Sequence, residues 1–363
     1  MKADLITLHA VRNYGSVLQA FATQEIFKKH GIDITIINFI REDVLPSNIL
    51  ESNGANNIIK KIVLYPSIKK QEKVFKRFCN NYLNLTKKQY TYEKDFNNYV
   101  SDADFYITGS DQVWNSTWNK GIIKPLYLSF VKDKPKIAYA ASFGKEEVTN
   151  DEVKETKSLI NDYLKISVRE KSAVELLKKQ YNYTDAIQVL DPTLAVDKEF
   201  WVELANKGKK YSNYVLIYQL NRNSEFDNYA KKVAKKMNCN LIRICRGYHQ
   251  LLLPGKGIVV PNVETFVSLF LNAKMVITDS FHALSFCTNL NVPFACFYPN
   301  NFNTRLKSHL ELFKLLDRRI DNINDLNIIE KKIDWDSVNK ILFAERKNNI
   351  DFIKDSIKKI KDR

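Results

Sequence analysis

The sequence predicts an α/β protein made of two doubly wound, Rossmann-like domains that face each other across a cleft. The chain has 363 residues, which is more than a single hydrophobic core usually organises. Short apolar runs alternate with helical patterns, as expected for parallel strands covered by helices on both faces. A second series of such runs begins after a lysine-rich stretch around Gly208, so we expect two sheets.

The first series predicts an N-terminal domain over residues 1–200. It opens with a strand, a helix at 16–29 closed by Gly31, and a second strand, which together form a βαβ unit. The stretch 46–100 is polar and weakly periodic, and is predicted to be an inserted helical region with loops. The strands predicted in this domain are 5–8, 34–37, 105–108, 136–140, 166–168 and 187–190.

The second series predicts a C-terminal domain over 210–335, followed by C-terminal helices over 336–363. Near the end, isoleucines recur at three- and four-residue steps and form a narrow apolar stripe on a helix. We expect this helix to dock on the first domain, and the alternative is a basic helix on a membrane surface. The strands predicted in the second domain are 214–218, 240–244, 257–260, 274–278 and 293–297, and its helices are 226–237, 263–271 and 283–289.

Composition narrows the functional class. The net charge of +15 is spread over many lysines, which indicates a solvated surface, and no arginine-rich arm or zinc-finger spacing predicts a nucleic-acid partner. The five scattered cysteines suit reduced thiols in a cytoplasmic protein. Neither a signal peptide nor a transmembrane run is evident. No His, Asp or Cys cluster has metal-ligand spacing, so we expect no metal.

Polar residues follow the predicted strands of the first domain, where doubly wound sheets bind ligands. After the first strand, Gly15 permits close backbone approach, and Ser16 either contacts a ligand or caps the helix. After the strand 105–108, Trp114 can stack on a sugar ring, and Asp111 either bonds sugar hydroxyls or caps the next helix. The residues predicted to line this cleft are Asn13, Tyr14, Gly15, Gln19, Gly109, Ser110, Gln112, Trp114, Asn115 and Ser142.

Several cations follow strands as well. Arg169 comes directly after the strand 166–168, where its forked guanidinium can hold a carboxylate or a phosphate. The alternative is a salt bridge with Glu170 or another neighbouring acid. Arg305 and Lys307 follow the last strand of the second domain and either bind an anion or supply surface charge.

The most informative segment is Thr278-Asp279-Ser280-Phe281-His282, which lies between an apolar strand pattern and a helical pattern. Such a strand-to-helix turn presents backbone N–H groups that can hold an anion beside a proton-transfer group. The alternative is that His282 is an ordinary first-turn helix residue.

Six motifs together resemble the polysaccharide pyruvyl transferase family over about the first 300 residues. In chain order they are Asn13-Tyr14-Gly15-Ser16 with Leu18-Gln19, the stretch 109–115, the stretch 139–144, Ser167-Val168-Arg169-Glu170, Asp191-Pro192-Thr193 and the stretch 278–282. Arg305 resembles the terminal basic motif of the family. One departure is Ala283, because a glycine often follows the histidine in the family.

The resemblance implies a fold similar to the GT-B glycosyltransferases and transfer of a pyruvyl group from phosphoenolpyruvate to sugar hydroxyls of a cell-surface polysaccharide or its precursor. The products would be a cyclic pyruvate ketal and phosphate. The expected partners are phosphoenolpyruvate as co-substrate, without any other cofactor, and a lipid- or nucleotide-linked oligosaccharide. Such an acceptor would place this cytoplasmic enzyme near the inner face of the membrane.

The resemblance also suggests roles for the residues. His282 would contact the phosphate and donate a proton, and Asp111 would orient or deprotonate an acceptor hydroxyl, although these two roles can be exchanged. Arg169 and Arg305 would clamp the donor, with Ser280 and Lys307 beside them. Two rival functions stay open: a GT-B glycosyltransferase that uses a nucleotide sugar, and a non-catalytic glycan-binding assembly protein in which Trp114 and Trp118 bind sugar.

Overall fold

The computed structural model describes residues 1–45, 48, 58–299 and 304–363, and the chain forms two compact units. The first unit contains Met1–Leu45, Cys79–Val196 and Ala344–Arg363, and the second contains Pro46–Phe78 and Asp197–Phe343. Each unit has its own sheet, and every strand pairing reported for these sheets is parallel. The predicted α/β class with two doubly wound, Rossmann-like domains is therefore confirmed.

The first unit contains a seven-stranded sheet in the order β3-β2-β1-β4-β5-β6-β7. Its strands are β1 (Lys2–Ile6), β2 (Asp33–Phe39), β3 (Leu85–Tyr90), β4 (Phe105–Thr108), β5 (Lys136–Ala141), β6 (Lys165–Val168) and β7 (Ile187–Gln188). Along the chain, the helices between these strands are α1 (Tyr14–Lys29), α2 (Ile58–Tyr82), α3 (Ser116–Asn119), α4 (Asn150–Asn161), α5 (Lys171–Tyr181) and α6 (Pro192–Ala195). Most of α2 belongs to the second unit, which contains Pro46–Phe78. Short 3-10 helices occur at Glu42–Val44, Glu93–Phe96 and Lys124–Tyr127.

The predicted helical insertion at 46–100 needs correction. Strand β3 lies within it and pairs in parallel with β2 at the edge of the sheet. Its middle residues Lys87, Lys88 and Gln89 are exposed, and such a polar strand is tolerated because it has a neighbour on one side only. Because these residues are polar, the segment lacks the apolar run from which a strand is predicted. Residues 46–47 and 49–57 lie outside the described part of the chain.

Helix α1 starts earlier than predicted, and Asn13 caps it rather than Ser16. The Asn13 side chain accepts a hydrogen bond from the Gly15 backbone N–H at 2.9 Å, which satisfies one of the open donors of the first turn. Ser16 and Gln19 are buried on this helix. Their polar groups therefore face the interior of the unit rather than solvent.

The second unit contains a five-stranded sheet in the order β10-β9-β8-β11-β12. Its strands are β8 (Tyr214–Tyr218), β9 (Asn240–Cys245), β10 (Lys256–Val259), β11 (Met275–Thr278) and β12 (Phe294–Cys296). Its helices are α7 (Lys198–Asn206), α8 (Ser224–Lys236), α9 (Val263–Leu271), α10 (Phe281–Leu290) and α11 (Thr304–Leu312), with 3-10 turns at Tyr248–Leu252, Leu316–Arg318 and Asn327–Ile329.

The last helix, α12 (Trp335–Lys361), packs within the first unit from Ala344 onwards. The Asn349 side chain accepts from the Leu190 N–H at 2.9 Å and donates to the Tyr139 hydroxyl at 2.8 Å. Ile353 and Ile360 are buried, whereas Ile350 is 37% exposed, so the greater part of the apolar stripe packs against protein. No helix among the described residues combines the length and the apolar character needed to cross a membrane.

Each sheet has one point at which the strand order reverses. In the first unit this switch point lies between β1 and β4, and in the second it lies between β8 and β11. Doubly wound sheets bind ligands beyond the carboxyl ends of the strands at such points. The loops after these four strands are therefore where each unit can hold a ligand.

Candidate functional site

Asp111 lies in the loop after β4, at the switch point of the first unit. Its Oδ2 accepts from the Ser16 hydroxyl at 2.7 Å, and its Oδ1 accepts from the Gln112 N–H at 2.8 Å. The backbone φ of Asp111 is +79°, an uncommon and costly conformation for a residue with a side chain. Asn115, not Asp111, caps α3 by accepting from the Trp118 N–H at 3.0 Å. The loop therefore holds Asp111 in a strained, buried position that is not required for capping.

Arg169 is buried beside Asp111, and its charge is compensated. Its Nη1 donates to Asp191 Oδ2 at 2.6 Å, and its Nη2 lies 3.6 Å from Asp111 Oδ1. Burial alone would lower the pKa of the guanidinium, but Asp191, Glu170 and Asp111 raise it. The salt-bridge interpretation of Arg169 is thus the one that the geometry supports. Its hydrogen-bonded partner is Asp191 rather than the adjacent Glu170.

A network of hydrogen bonds connects this pair to the other loops of the first unit. The Ser110 hydroxyl donates to Asp191 Oδ2 at 3.4 Å, and the Thr7 hydroxyl donates to the Ser110 carbonyl at 2.8 Å. Gln19 Nε2 donates to the Thr7 hydroxyl at 2.9 Å. Loops after β1, β4, β6 and β7 are thereby joined around Asp111 and Arg169.

The prediction that Trp114 stacks on a sugar is wrong. Its side chain is 1% exposed and lies between Tyr127 and Phe143, with ring centroids 5.6 and 5.2 Å away. The indole N–H donates to the Leu126 carbonyl at 3.3 Å. Trp114 therefore belongs to the hydrophobic core, because a large ring that follows a buried strand packs most favourably beneath the loop.

The other predicted cleft residues mostly shape the loops. Tyr14, Gly15, Gly109, Ser110, Asn115 and Ser142 are buried, whereas Asn13 and Gln112 are partly exposed. A Cβ on Gly109 would meet Leu5 Cδ1 at 2.8 Å, so glycine permits close packing there rather than approach of a ligand. The Ser142 hydroxyl donates to Glu170 Oε1 at 2.6 Å. These residues therefore position the β4 and β5 loops.

Sequence reasoning missed His9, which follows β1 at the same switch point. A histidine directly after the first apolar strand was the available signal. Its side chain is fully buried, and burial lowers its pKa from 6.5 to about 4. The unfolded chain binds a proton at His9 below about pH 6.5, whereas the folded chain does so only near pH 4.

We expect this difference to cost stability in acid. Between pH 6.5 and pH 4, His9 should lower the free energy of unfolding by up to about 3 kcal/mol, because each pKa unit corresponds to about 1.4 kcal/mol. Denaturant unfolding of wild type and His9→Asn at several pH values measures this effect. The stability difference between the two proteins should change across that window, and a constant difference would contradict the assignment to His9.

In the second unit, Ser280 and His282 lie at the switch point where β11 leads into α10. The Ser280 hydroxyl caps the helix by accepting from the Ala283 N–H at 3.4 Å. His282 lies in the first turn with 8% of its surface exposed. The N-terminus of this ten-residue helix provides the positive end of a helix dipole, which favours a bound anion.

Asp279 stabilises this turn through hydrogen bonds to the loop after β8. It accepts hydrogen bonds from the backbone N–H groups of Leu220 and Asn221, both at 2.7 Å, and so joins the loops after β8 and β11. Burial raises the pKa of Asp279, and these bonds oppose the change. Asp279 is therefore a positioning residue, and the loop after β8 is a part of the site that the sequence motifs did not reveal.

Arg305 also approaches the turn. Its guanidinium carbon lies 5.7 Å from the centroid of the Phe281 ring, next to His282. One turn later, His309 fixes α11 on α10, because its Nε2 lies 2.8 Å from the Thr288 hydroxyl. The structure thus brings Ser280, His282 and Arg305 to one end of α10.

Lys307 does not join them. Its side chain is 62% exposed and lies 3.8 Å from Glu311 Oε1. Two residues along a helix correspond to a rotation of about 200°, so Lys307 and Arg305 project from nearly opposite faces of α11. The prediction that both cations bind the same donor is therefore wrong for Lys307. The neighbouring Asn303 lies outside the described residues.

Comparison with solved structures shows the fold. The wall teichoic acid polymerase TagF is 12% identical and superposes with a TM-score of 0.51 over 99% of this chain and 89% of its own. A UDP-GlcNAc 2-epimerase from Neisseria meningitidis has 10% identity, a TM-score of 0.48 and coverage of 99% and 100%. The glycosyltransferase SnogD from Streptomyces nogalater has 9% identity, a TM-score of 0.47 and coverage of 96% and 95%. The similarity to TagF agrees with the expected GT-B-like, two-domain fold.

Comparison of sequences identifies the family. No curated protein sequence matches the chain. A family model described as polysaccharide pyruvyl transferase matches residues 13–301, which include Asp111, Arg169 and His282. This match covers most of the sequence and includes the motifs at both switch points. The chain therefore belongs to the polysaccharide pyruvyl transferase family.

Proposed function

We propose that the protein transfers a pyruvyl group from phosphoenolpyruvate to two hydroxyls of a sugar in a cell-surface polysaccharide or its precursor. The products are a cyclic pyruvate ketal and phosphate. The observation that carries this proposal is the grouping of Ser280, His282 and Arg305 at the start of α10, in a chain that belongs to this family.

The donor site is assigned to the second unit. Phosphoenolpyruvate carries a phosphate and a carboxylate, so it needs cations and helix-terminal N–H donors. The start of α10 with Arg305 offers both. Around Arg169, in contrast, Asp191, Asp111 and Glu170 all act on a single guanidinium. This excess of negative charge disfavours a multiply charged anion, so Arg169 is reassigned from donor clamp to positioning residue.

The acceptor site is assigned to the first unit, with Asp111 as the base. Two hydrogen bonds and the Arg169 guanidinium stabilise the ionised form of this carboxylate. An ionised carboxylate accepts hydrogen bonds only, so it suits a hydroxyl donor such as a sugar. The strained backbone at Asp111 is consistent with a position selected for chemistry rather than for stability.

The reaction balances with one base and one acid. Protonation converts the methylene carbon of the donor to a methyl group and makes the central carbon electrophilic. Two sugar oxygens then form bonds to that carbon, while its bond to the phosphate oxygen breaks. Of the two hydroxyl protons, one replaces the proton delivered to carbon and the other leaves on phosphate. In this scheme Asp111 accepts a hydroxyl proton, and His282 donates a proton on the donor side.

A direct assay tests the proposal. Purified protein is incubated with phosphoenolpyruvate and a panel of lipid- and nucleotide-linked oligosaccharides, and both phosphate release and the mass gain of the acceptor are measured. Both signals should appear with the same acceptor. If a nucleotide sugar is consumed instead, the protein is a glycosyltransferase, and absence of both signals across the panel would reject pyruvyl transfer.

Arg305 and Lys307 provide a matched pair of variants. Arg305→Ala should raise the KM for phosphoenolpyruvate about 10- to 100-fold, because hydrogen bonds between charged groups contribute about 1.5–3 kcal/mol. Lys307→Ala should change it less than about twofold, since its side chain is exposed to solvent. Steady-state kinetics with varied donor concentration make the comparison. Equal effects of the two variants would contradict the assigned donor site.

A further inference from the structure

Trp118 presents an exposed aromatic ring at the switch point of the first unit. It lies on α3, directly after the loop that holds Asp111, and is 39% exposed, whereas Trp114 and Trp201 are fully buried. The guanidinium carbon of Arg41 lies 4.4 Å from the centroid of its ring. Trp118 thus combines an indole held against a guanidinium with a substantial exposed apolar surface.

Arg41 is held firmly in this position. It is 6% exposed, and its Nε and Nη2 donate to the two carboxylate oxygens of Asp43 at 2.9 and 2.5 Å. Its Nη1 donates to Asn119 Oδ1 at 2.7 Å. Because a guanidinium is planar and all three of its nitrogens are engaged, it covers one face of the indole and fixes the orientation of the ring.

The ring is also connected to the Asp111 loop. Asn119 Nδ2 donates to the carbonyls of Gln112 and Val113, both at 3.1 Å. The backbone N–H of Trp118 donates to Asn115 Oδ1 at 3.0 Å. Hydrogen bonds through Asn119 therefore join Arg41 to the loop around Asp111, and the indole packs against the Arg41 guanidinium.

We propose that Trp118, supported by Arg41, is a stacking surface for a pyranose ring of the acceptor. This inference rests on the proposed function and names an acceptor subsite that is separate from the reacting hydroxyls at Asp111. The apolar C–H face of a pyranose packs on the exposed indole surface, while its hydroxyls remain available to polar groups and water. A rigid aromatic surface binds with little loss of side-chain freedom.

Glycan binding without donor tests this proposal. An array of pyranose oligosaccharides is probed with wild type, Trp118→Ala, Trp118→Phe and Trp335→Phe, where Trp335 is a partly exposed tryptophan of the second unit. Trp118→Ala should weaken binding about 10- to 100-fold, as expected for removal of a central aromatic contact. Trp118→Phe should retain most of the binding, and Trp335→Phe should match wild type. Circular dichroism checks that each variant is folded.

Arg41→Lys adds a second test of the same surface. A lysine keeps the charge but loses the paired bonds to Asp43, so the indole is less firmly oriented. Binding to the array should fall by about 3- to 10-fold, less than for Trp118→Ala. Unchanged binding of Trp118→Ala, or a wild type that binds no oligosaccharide on the array, would overturn the proposal.

The experiment separates this inference from the proposed function. The array contains no phosphoenolpyruvate, so binding does not depend on catalysis. Glycan binding that depends on Trp118, together with absence of phosphate release, would reject pyruvyl transfer alone. Normal turnover with binding that is indifferent to Trp118 would reject the stacking surface alone.

Discussion

Replacing His282 with alanine is expected to lower kcat for phosphate release by about 10²- to 10⁴-fold, the usual contribution of general acid catalysis. His282 lies in the first turn of α10, beside the capping residue Ser280 and near Arg305. Loss of its imidazole removes the proposed proton donor, while the helix N-terminus and the arginine remain. The KM for phosphoenolpyruvate should therefore change much less than kcat.

His282→Asn is the matched control for this result. Asparagine retains a hydrogen-bond donor but cannot transfer a proton at neutral pH. If His282 supplies only a hydrogen bond, His282→Asn should restore much of the rate that His282→Ala loses. If it supplies a proton, both variants should be equally slow. A near-normal rate for His282→Ala would remove this residue from the mechanism.

Replacing Arg169 with methionine is expected to lower the free energy of unfolding by about 3–5 kcal/mol, because it leaves buried carboxylates without their counter-ion. Its side chain is 2% exposed, and it lies 2.6 Å from Asp191 and 3.6 Å from Asp111. Turnover should be lost as well, since Asp111 would no longer be held in place. An Arg169 that only clamped the donor, as the family resemblance implies, would instead leave folding intact when replaced.

Three variants make this prediction specific. Arg169→Lys keeps the charge and should recover part of the stability. Adding Asp191→Asn to Arg169→Met removes one uncompensated charge, so the double variant should be more stable than the sum of the two single effects predicts. Lys154→Met breaks an ion pair with Asp151 that is 78% and 92% exposed, and it should cost less than about 1 kcal/mol. Equal losses for Arg169→Met and Lys154→Met would contradict a structural role for Arg169.

Most of the fold could be predicted from periodicity. Strands such as Tyr214–Tyr218 and helices such as Val263–Leu271 have the predicted bounds, because central parallel strands and their covering helices are apolar on the faces that they bury. Strand β3 was not predicted, because it lies at the edge of the sheet. An edge strand buries little apolar surface, so the sequence Leu85–Tyr90 carries no apolar run.

The tryptophans show why the candidate site could be predicted only in part. Trp114 and Trp118 lie four residues apart in the same polar stretch of the sequence, and nothing in their local sequence distinguishes a core residue from a surface residue. Trp114 is covered by Tyr127 and Phe143, whereas Trp118 meets Arg41. These partners are remote in sequence, so only the folded chain assigns the two rings.

The sequence by itself determined the two-sheet architecture and the segments that reach each switch point, because backbone periodicity and turn chemistry are local properties. It also determined the family, through ordered motifs. Tertiary structure decided the roles of individual charges. From the sequence, Arg169 and Lys307 are equally plausible residues for binding an anion. In the structure, Arg169 is buried among carboxylates and Lys307 projects into solvent. Charge compensation and burial depend on neighbours that are distant along the chain, and these neighbours decide which side chains a ligand can meet.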